Sequence, residues 1–162
     1  MATVGGMTRI GLVSDTHGLL RPEAIAWLRG SDAIVHAGDI CDPATLEALA
    51  ALAPLVAVRG NNDHGPWAEA LPLRVERELA GVRLCVVHDI ADLRGAPPAA
   101  GVQVVVTGHS HQPRIERREG VLHVNPGSAG PRRFRLPVSA SELRVVDGRI
   151  DARLHALLAA PA

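Results

Sequence analysis

The chain has 162 residues, of which 47% are hydrophobic and 21% charged, and its formal net charge is zero. This length predicts one domain over 1–162 with a sizeable core, and 1–7 reads as a loose leader. The sequence contains neither an apolar run of the ~18–20 residues that a membrane span needs nor an export signal, which favours a cytoplasmic, soluble protein without a membrane partner.

The absence of certain residue types excludes or disfavours several kinds of catalytic and binding site. All 17 basic residues are arginine, which excludes a lysine Schiff base and a Walker-type lysine. The chain has no tyrosine and one phenylalanine, so platforms for stacking single-stranded nucleic acid are scarce. Cys41 and Cys85 form no CxxC pair, and both read as small apolar residues in a reducing compartment.

Strand and helix patterns alternate along the first third of the chain. The predicted strands are Arg9–Ser14, Ala33–His36 and Leu55–Val58, and the predicted helices between them are Pro22–Arg29 and Pro43–Ala53. Asp42 is the expected N-cap of the second helix. This alternation predicts βαβ units and a parallel sheet.

The later part of the chain is rich in hairpin signals. The predicted hairpins pair Arg74–Leu79 with Val82–Val87, Arg114–Arg118 with Val121–Val124, and Ser141–Val146 with Arg149–Leu154, and Val102–Val106 is a further strand. An X-Gly dipeptide joins the strands of each pair, as two-residue hairpin turns require. The chain is therefore expected to begin parallel and to end largely antiparallel.

Asp, Asn and His side chains follow five of the apolar runs, directly after each strand ends. The segments are 14–17, 36–39, 59–64, 88–89 and 107–111. Sites in open α/β sheets gather at the carboxyl ends of strands, so these residues are expected to lie together. Each residue alone has an ordinary explanation as a cap, a turn or a packed histidine, but their coincidence at five strand ends favours a shared site.

The chemistry that these side chains share is metal binding. Carboxylate, carboxamide and imidazole ligands suit Mn, Fe, Co, Ni or Zn, whereas Mg and Ca prefer oxygen alone. Seven candidates are too many for one tetrahedral ion and fit two ions that share a carboxylate, an arrangement known for phosphoryl transfer. The candidates are Asp15, His17, Asp39, Asn61, His88, His109 and His111.

The order and spacing of these motifs resemble a known signature. The motifs are Asp15-x-His17, Gly38-Asp39-x-x-Asp42, Gly60-Asn61-x-Asp63, an isolated His88 and Gly108-His109-x-His111. They resemble the calcineurin-like metallophosphoesterase superfamily. The small size and the segment Asn125-Pro126-Gly127-Ser128 are similar to its small bacterial YfcE-type phosphodiesterase branch. The resemblance implies an α/β fold with four layers, in which two mixed β-sheets are flanked by helices.

The resemblance also implies roles for individual residues. Asp15, His17 and His111 would hold one metal ion, Asn61, His88 and His109 would hold a second, and Asp39 would bridge them. Manganese is the first choice among the ions above. A hydroxide between the ions would attack phosphorus in line. Catalytic roles fall to Asn61, Asn62 and Asp63, and substrate contacts to Asn61, Asn62 and His109.

Two positions depart from the family pattern. Asn62 stands where many members have a histidine and the small branch often has a cysteine, and its amide can donate a hydrogen bond but cannot act as a general acid. His64 is a candidate substitute for that acid. Asp89 stands where a glycine is common, so a carboxylate there can either orient a ligand or repel an anionic substrate. Both changes leave rate and substrate range open.

The remaining polar features have structural interpretations beside functional ones. His36 is expected to support the site or to pack, His123 to lie in the core or on the surface, and His155 to be exposed. The Asn-Pro-Gly-Ser segment is expected to be a turn that shapes the rim of the site. Residues 113–135 hold six arginines against two glutamates, which suits either an anion or a solvated surface.

The function predicted first is therefore a metal-dependent hydrolase of small phosphate esters, most specifically a phosphodiesterase. The alternative is a scaffold of the same fold with weak or absent catalysis. A nuclease acting through the arginine-rich region is a third reading, disfavoured by zero net charge and few aromatic residues. The physiological substrate, the preference for diesters or monoesters, the native metal and a homo-oligomeric state stay open.

Overall fold

The computed structural model describes residues 6–159, so the expected leader at 1–7 lies outside the described residues except for its last two positions. The strands form two sheets of five. The first sheet contains β1 (Thr8–Val13), β2 (Ala33–His36), β3 (Leu55–Ala57), β9 (Val138–Val146) and β10 (Arg149–Leu158). The second sheet contains β4 (Arg74–Leu79), β5 (Val82–Val87), β6 (Val104–Val106), β7 (Arg114–Arg118) and β8 (Val121–Asn125). The strand orders are β10-β9-β1-β2-β3 and β4-β5-β6-β8-β7. The predicted class, two mixed β-sheets, is confirmed.

The βαβ prediction for the first third of the chain is also confirmed. Strands β1, β2 and β3 are parallel neighbours. Helices α1 (Pro22–Leu28) and α2 (Pro43–Ala50) pack on the outer face of this sheet through Leu28 and Leu49. The predicted cap is present, since Asp42 accepts a hydrogen bond of 2.9 Å from the backbone N–H of Ala44. Helix α2 ends three residues earlier than expected because the chain turns towards Pro54, which disfavours helical backbone before it.

All three predicted hairpins are present, and each turns through a non-glycine residue of positive φ followed by glycine. Ala80, Glu119 and Asp147 have φ of 48°, 50° and 50°, as two-residue primed turns require. The expectation of a largely antiparallel second half was incomplete, because β6 pairs in parallel with both β5 and β8. The last hairpin returns to the first sheet, where β9 lies antiparallel to β1.

The core lies between the two sheets. It consists of fully buried aliphatic side chains from both, among them Leu12, Val35, Leu84, Val104 and Leu143. Burying such side chains stabilises the fold by about 1.5–3 kcal/mol each and fixes one sheet against the other. The outer face of the second sheet carries a short 3₁₀ helix (Ile90–Leu93), packed through Leu93.

This packing brings the carboxyl ends of strands from both sheets to one edge. The backbone N–H of Asp15, after β1, bonds to Gly38 O at 3.0 Å, and that of Gly108, after β6, bonds to His88 O at 2.9 Å. The segments singled out in the sequence therefore meet here. Within residues 6–159 the longest helix has eight residues, too few to cross a bilayer.

Candidate metal centre

One group of candidate ligands gathers around the carboxylate of Asp15. His111 Nε2 lies 3.3 Å and His17 Nε2 lies 3.7 Å from Asp15 Oδ1, and the two Nε2 atoms are 3.3 Å apart. Asp15 is fully buried and His111 nearly so. The three side chains place one ligand atom each within the span that a single ion can bridge.

A second group adjoins the first through Asp39. His88 Nε2 lies 3.3 Å from Asp39 Oδ2 and 4.0 Å from Asp15 Oδ1. Asn61 Oδ1 faces His109 Nδ1 at 3.1 Å. His17 Nε2 lies 3.6 Å from the same Oδ2 atom of Asp39, so this carboxylate stands between the two groups. All seven predicted ligands are thus brought to one place.

Most of these residues owe their position to an unusual backbone. Asp15, His17, Asp39, His109 and His111 have φ between 47° and 68°. This left-handed region is uncommon for residues with a side chain and costs roughly 1–2 kcal/mol each. Strain of this kind clusters at functional sites, where it turns side chains inward at the point where a strand ends.

Two glycines let the backbone approach the carboxylates. A Cβ atom at Gly60 would lie 2.2 Å from both the backbone N and Oδ1 of Asp39. A Cβ atom at Gly108 would lie 2.6 Å from Asp15 Oδ2 and closer still to Ser14 Oγ. Neither position tolerates a side chain, which explains the Gly-Asn and Gly-His dipeptides of the sequence in physical terms.

Asp63, which the sequence suggested as catalytic, binds backbone instead. Its Oδ2 accepts hydrogen bonds from the backbone N–H groups of Asp39 and Gly60, at 3.0 and 2.7 Å. Its Oδ1 accepts from Ile40 and Cys41, at 2.8 and 2.7 Å. With four N–H donors on one buried carboxylate, Asp63 holds the loop that presents Asp39.

Asn62 also contacts Asp39. Its side-chain N–H donates to Oδ2 at 2.9 Å, and its backbone N–H donates to Oδ1 at 2.8 Å. Both Asn62 and His64 are exposed, but only Asn62 lines the cavity beside the ligands. The structure therefore places the amide of Asn62, and not His64, against the cavity beside the candidate ligands.

Asp89 is close enough to orient a ligand. Its Oδ2 lies 3.6 Å from His109 Nε2, on the side of the ring opposite Asn61. The same carboxylate caps the 3₁₀ helix by accepting from Ala91 N at 3.0 Å. A carboxylate behind a ligating histidine commonly fixes its tautomer and ring orientation.

Two further histidines have their tautomers fixed by backbone. His88 Nδ1 donates to Ala37 O at 2.7 Å, which directs Nε2 towards Asp39. His36 Nδ1 accepts from Gly38 N at 3.1 Å, so its Nε2 donates to Thr16 Oγ1 at 2.9 Å. Burial lowers the pKa of His36 to about 4 and keeps it neutral. His36 supports the site without facing it, as the sequence suggested.

The two carboxylates are held as anions. Burial alone would raise the pKa of Asp15, yet the nearby imidazoles of His111 and His17 and the hydrogen bond from Ser14 outweigh burial and keep that pKa well below its usual range. Burial likewise acts upwards on Asp39, but its contacts with His88 and Asn62 lower its pKa to about 2. Buried negative charge surrounded by imidazoles is the electrostatic pattern of a cation site.

Unpaired buried atoms show that this donor set fits metal ions. Among the described residues, Asp15 Oδ1, His88 Nε2 and His111 Nδ1 are buried without a hydrogen-bond partner. Leaving such a group unsatisfied costs about 1–3 kcal/mol. The first two atoms point into the clusters described above, where a divalent ion would satisfy both.

Other residues of the site were recognised only partly from the sequence. Asn125 donates from Nδ2 to Gly108 O and to Ser110 Oγ, at 2.9 and 3.0 Å, and Ser128 Oγ donates to Asp15 O at 3.0 Å. The Asn-Pro-Gly-Ser segment thus ties two ligand loops together, as a turn that shapes the rim. Arg133, one of the six arginines of residues 113–135, lines the same cavity, and so does Phe134, which no sequence pattern marked.

The lesser expectations have mixed outcomes. His155 is exposed and stacks on Trp27 with ring centroids 3.9 Å apart, and Cys85 is buried in the core. Cys41, expected to be a small apolar residue, is exposed by its left-handed turn, with Sγ 3.7 Å from His17 Nδ1. His123 is half-buried and borders a second cavity next to His109.

Comparison with known proteins now adds the family. A family model described as the calcineurin-like phosphoesterase superfamily domain matches residues 8–148. The chain belongs to this superfamily. A "probable metallophosphoesterase" of Methanocaldococcus jannaschii is 33% identical over 164 residues, which cover 93% of this chain and 82% of that relative. The superfamily supports phosphoesterase activity and implies divalent metal ions.

Solved structures confirm the metallophosphoesterase fold. An archaeal phosphodiesterase superimposes with a TM-score of 0.73 at 23% identity, over 92% of this chain and 99% of that one. Vacuolar protein sorting 29 of Cryptosporidium parvum superimposes with a TM-score of 0.74 at 18% identity, over 94% of this chain and 98% of that one. At these identities the likeness concerns the fold alone.

Proposed function

We propose that this chain is a metal-dependent phosphodiesterase that works with two divalent ions, manganese being the first candidate. The observation that carries the proposal is the pair of adjoining donor groups, Asp15 with His17 and His111, and Asp39 with His88, Asn61 and His109. Asp39 lies within reach of both groups. Asp15 Oδ1 and His88 Nε2, which are buried without a hydrogen-bond partner, are donor atoms that a bound ion would satisfy.

The chain's own residues then have distinct tasks. The ions, when bound, supply an activated water as nucleophile and neutralise charge on the phosphate. Asn62 fixes the orientation of Asp39 through two hydrogen bonds, and Asp63 fixes the backbone of the same loop. We therefore assign Asp63 a positioning role. Asp89 positions the His109 ring through its Oδ2 atom, which lies 3.6 Å from His109 Nε2.

Among the described residues that line the cavity, no side chain outside the candidate ligands is a general acid near neutral pH. Asn62 has no acidic proton, and His64 does not line the cavity. General acids contribute typically 10²–10⁴-fold where the leaving group is a poor one. We therefore expect esters with good leaving groups, such as aryl phosphodiesters, to be turned over far faster than alkyl diesters.

The test is hydrolysis of bis-p-nitrophenyl phosphate by metal-stripped protein, with and without added Mn²⁺. Asp39→Asn should abolish manganese-dependent turnover, because it removes the charge next to both groups. Asp42→Asn is the matched control: Asp42 lies three residues on, caps α2, and asparagine caps equally well. Equal turnover in both variants, or turnover that does not depend on added manganese, would refute the proposal.

The alternative function is a metal-loaded interaction scaffold. It is favoured by the structural likeness to Vps29, a protein named for sorting rather than hydrolysis. Two bound ions per chain, measured by elemental analysis, without turnover of any aryl diester or monoester would support this alternative. A nuclease is less well supported, because Arg114 and Arg118 are paired with Glu116 at 2.9 and 3.1 Å and offer less charge to a phosphate backbone.

A further inference from the structure

The rim loop, residues 131–137, borders the candidate metal centre on its open side. The centre opens into a cavity of about 240 Å³. Ligands such as His17, Asp39 and His109 form one wall of this cavity, and Arg133 and Phe134 form another. Anything bound at the ions therefore lies against the rim loop.

Phe134 is poorly suited to its place by every local criterion. It is the only phenylalanine of the chain, and its side chain is 91% exposed. Its φ is 53°, at the second position of a turn that Leu136 N closes by bonding to Arg133 O at 3.0 Å. Such turns favour Gly, Asn or Asp, and a bulky residue is strained there. At this exposure no packing offsets that strain.

The other residues with positive φ show what this conformation is used for. Among the non-glycine residues that the structure describes, three of the ten form hairpin turns and five are candidate metal ligands. Cys41 lies beside His17, and Phe134 lines the cavity. Outside the hairpins, then, left-handed backbone is confined to the site and its border. Strain so distributed indicates a functional demand on Phe134 as well.

The loop is also held in place at its base. A Cβ atom at Gly130 would lie 2.1 Å from Thr16 O, so the chain is pressed against the strand end that carries the ligands. Ser128 Oγ donates to Asp15 O, and Arg132 donates to Ala159 O at 2.7 Å. The base of the loop is therefore anchored next to the strand end that carries Asp15. The side chain of Arg133, in contrast, is exposed and makes no hydrogen bond within residues 6–159.

We propose that Phe134 and Arg133 recognise a mononucleotide portion of the substrate, with the ring of Phe134 stacked on the base and Arg133 paired with a phosphate oxygen. The inference rests on the proposed function. A single exposed ring between arginines suits one planar base joined to an anion, whereas an acyl chain would need an apolar groove. One aromatic residue serves one base, which favours a small nucleotide over a nucleic-acid strand.

The test compares two product-like inhibitors that differ only in the nucleoside. Adenosine 5′-monophosphate and methyl phosphate would each compete with bis-p-nitrophenyl phosphate on the manganese-loaded protein. Base–aromatic stacking of about 1–3 kcal/mol predicts that Phe134→Leu raises the Ki of the nucleotide roughly 5- to 150-fold. The Ki of methyl phosphate should change less than about twofold, because it lacks a base to stack.

Arginine variants test the second contact. Arg133→Gln should weaken both inhibitors, because both carry the phosphate. Arg135→Gln is the matched control, since Arg135 is exposed in the same turn but does not line the cavity. If Phe134→Leu shifts both Ki values equally, or neither, stacking is refuted. If Arg133→Gln and Arg135→Gln have the same effect, the phosphate contact is refuted.

Binding and stability measurements separate this inference from the proposed function. Calorimetric titration of adenosine 5′-monophosphate into the manganese-loaded protein needs no turnover, so it tests stacking even if the diester is not hydrolysed. Phe134→Gly should leave the unfolding temperature unchanged or raise it, because glycine relieves the strained φ. A marked fall would show that the ring is structural and would overturn the proposal.

Discussion

Metal binding should stabilise this protein strongly, because the site buries charge that the chain alone does not satisfy. Two atoms that point into the candidate metal centre, Asp15 Oδ1 and His88 Nε2, are buried without hydrogen-bond partners. Each such atom costs about 1–3 kcal/mol, and this cost disappears for every atom that ligates an ion. We therefore expect the metal-stripped protein to be the less stable form by several kcal/mol.

The mass-action effect of ion binding predicts a stabilisation of comparable size. An ion at 100 times its dissociation constant adds about 2.7 kcal/mol, so two sites add about 5 kcal/mol. For a chain of this size, each 1 kcal/mol moves the unfolding temperature by roughly 2–4 °C. Saturating Mn²⁺ should thus raise the unfolding temperature by about 10–20 °C in differential scanning calorimetry.

Single ligand variants divide this shift between the two groups. His111→Gln should remove one ion and about half of the shift, and His109→Gln should do the same for the other group. His155→Gln, at the exposed histidine stacked on Trp27, is the control and should retain both ions. The reasoning is refuted if the stripped protein shows no shift with manganese, or if His111→Gln retains the full shift and both ions.

Two further predictions concern proton transfer and acid stability. Asn62→His restores an acid beside the cavity and should raise kcat on alkyl diesters by about 10²-fold or more, with little gain on aryl diesters. Burial alone would raise the pKa of Glu142, but hydrogen bonds from Arg9 and Arg144 outweigh it and lower that pKa. The folded protein therefore binds the Glu142 proton less tightly than the unfolded chain does. Ionised Glu142 stabilises the fold at any pH above its ordinary pKa, and this stabilisation is lost as the pH falls below that value and through the lowered pKa. Glu142→Gln should cost about 2 kcal/mol at neutral pH, and less in acid, by urea unfolding.

Each of these two predictions has an outcome that contradicts it. For Asn62→His, the measurement is the dependence of kcat on the pKa of the leaving alcohol. An equally steep dependence in both proteins would show that protonation of the alcohol does not limit the rate. For Glu142→Gln, an unfolding free energy that differs from the wild type by the same amount at neutral and acid pH would show that its charge contributes nothing.

The sequence alone determined the local structure and the identity of the candidate ligands. Apolar runs, proline in the first turn of a helix, the Asp42 cap and X-Gly turns depend on neighbouring residues, so the strands, helices α1 and α2 and all three hairpins could be predicted. The motifs from Asp15 to His111 could be recognised as a set because polar residues at five successive strand ends are difficult to explain by turn chemistry.

Only the tertiary structure decided which of these residues face the candidate metal centre and which hold its loops in place. Asp63 and Asn61 look alike as motif positions, but Asp63 accepts four backbone N–H groups while Asn61 faces His109. Phe134 is 23 residues beyond His111, and nothing in its neighbourhood marks it as part of the cavity. The parallel pairing of β6 with β5 and β8 was likewise hidden. The physical reason is common to all three: long-range packing sets these contacts, and residues distant in the chain leave no periodic signal in its sequence.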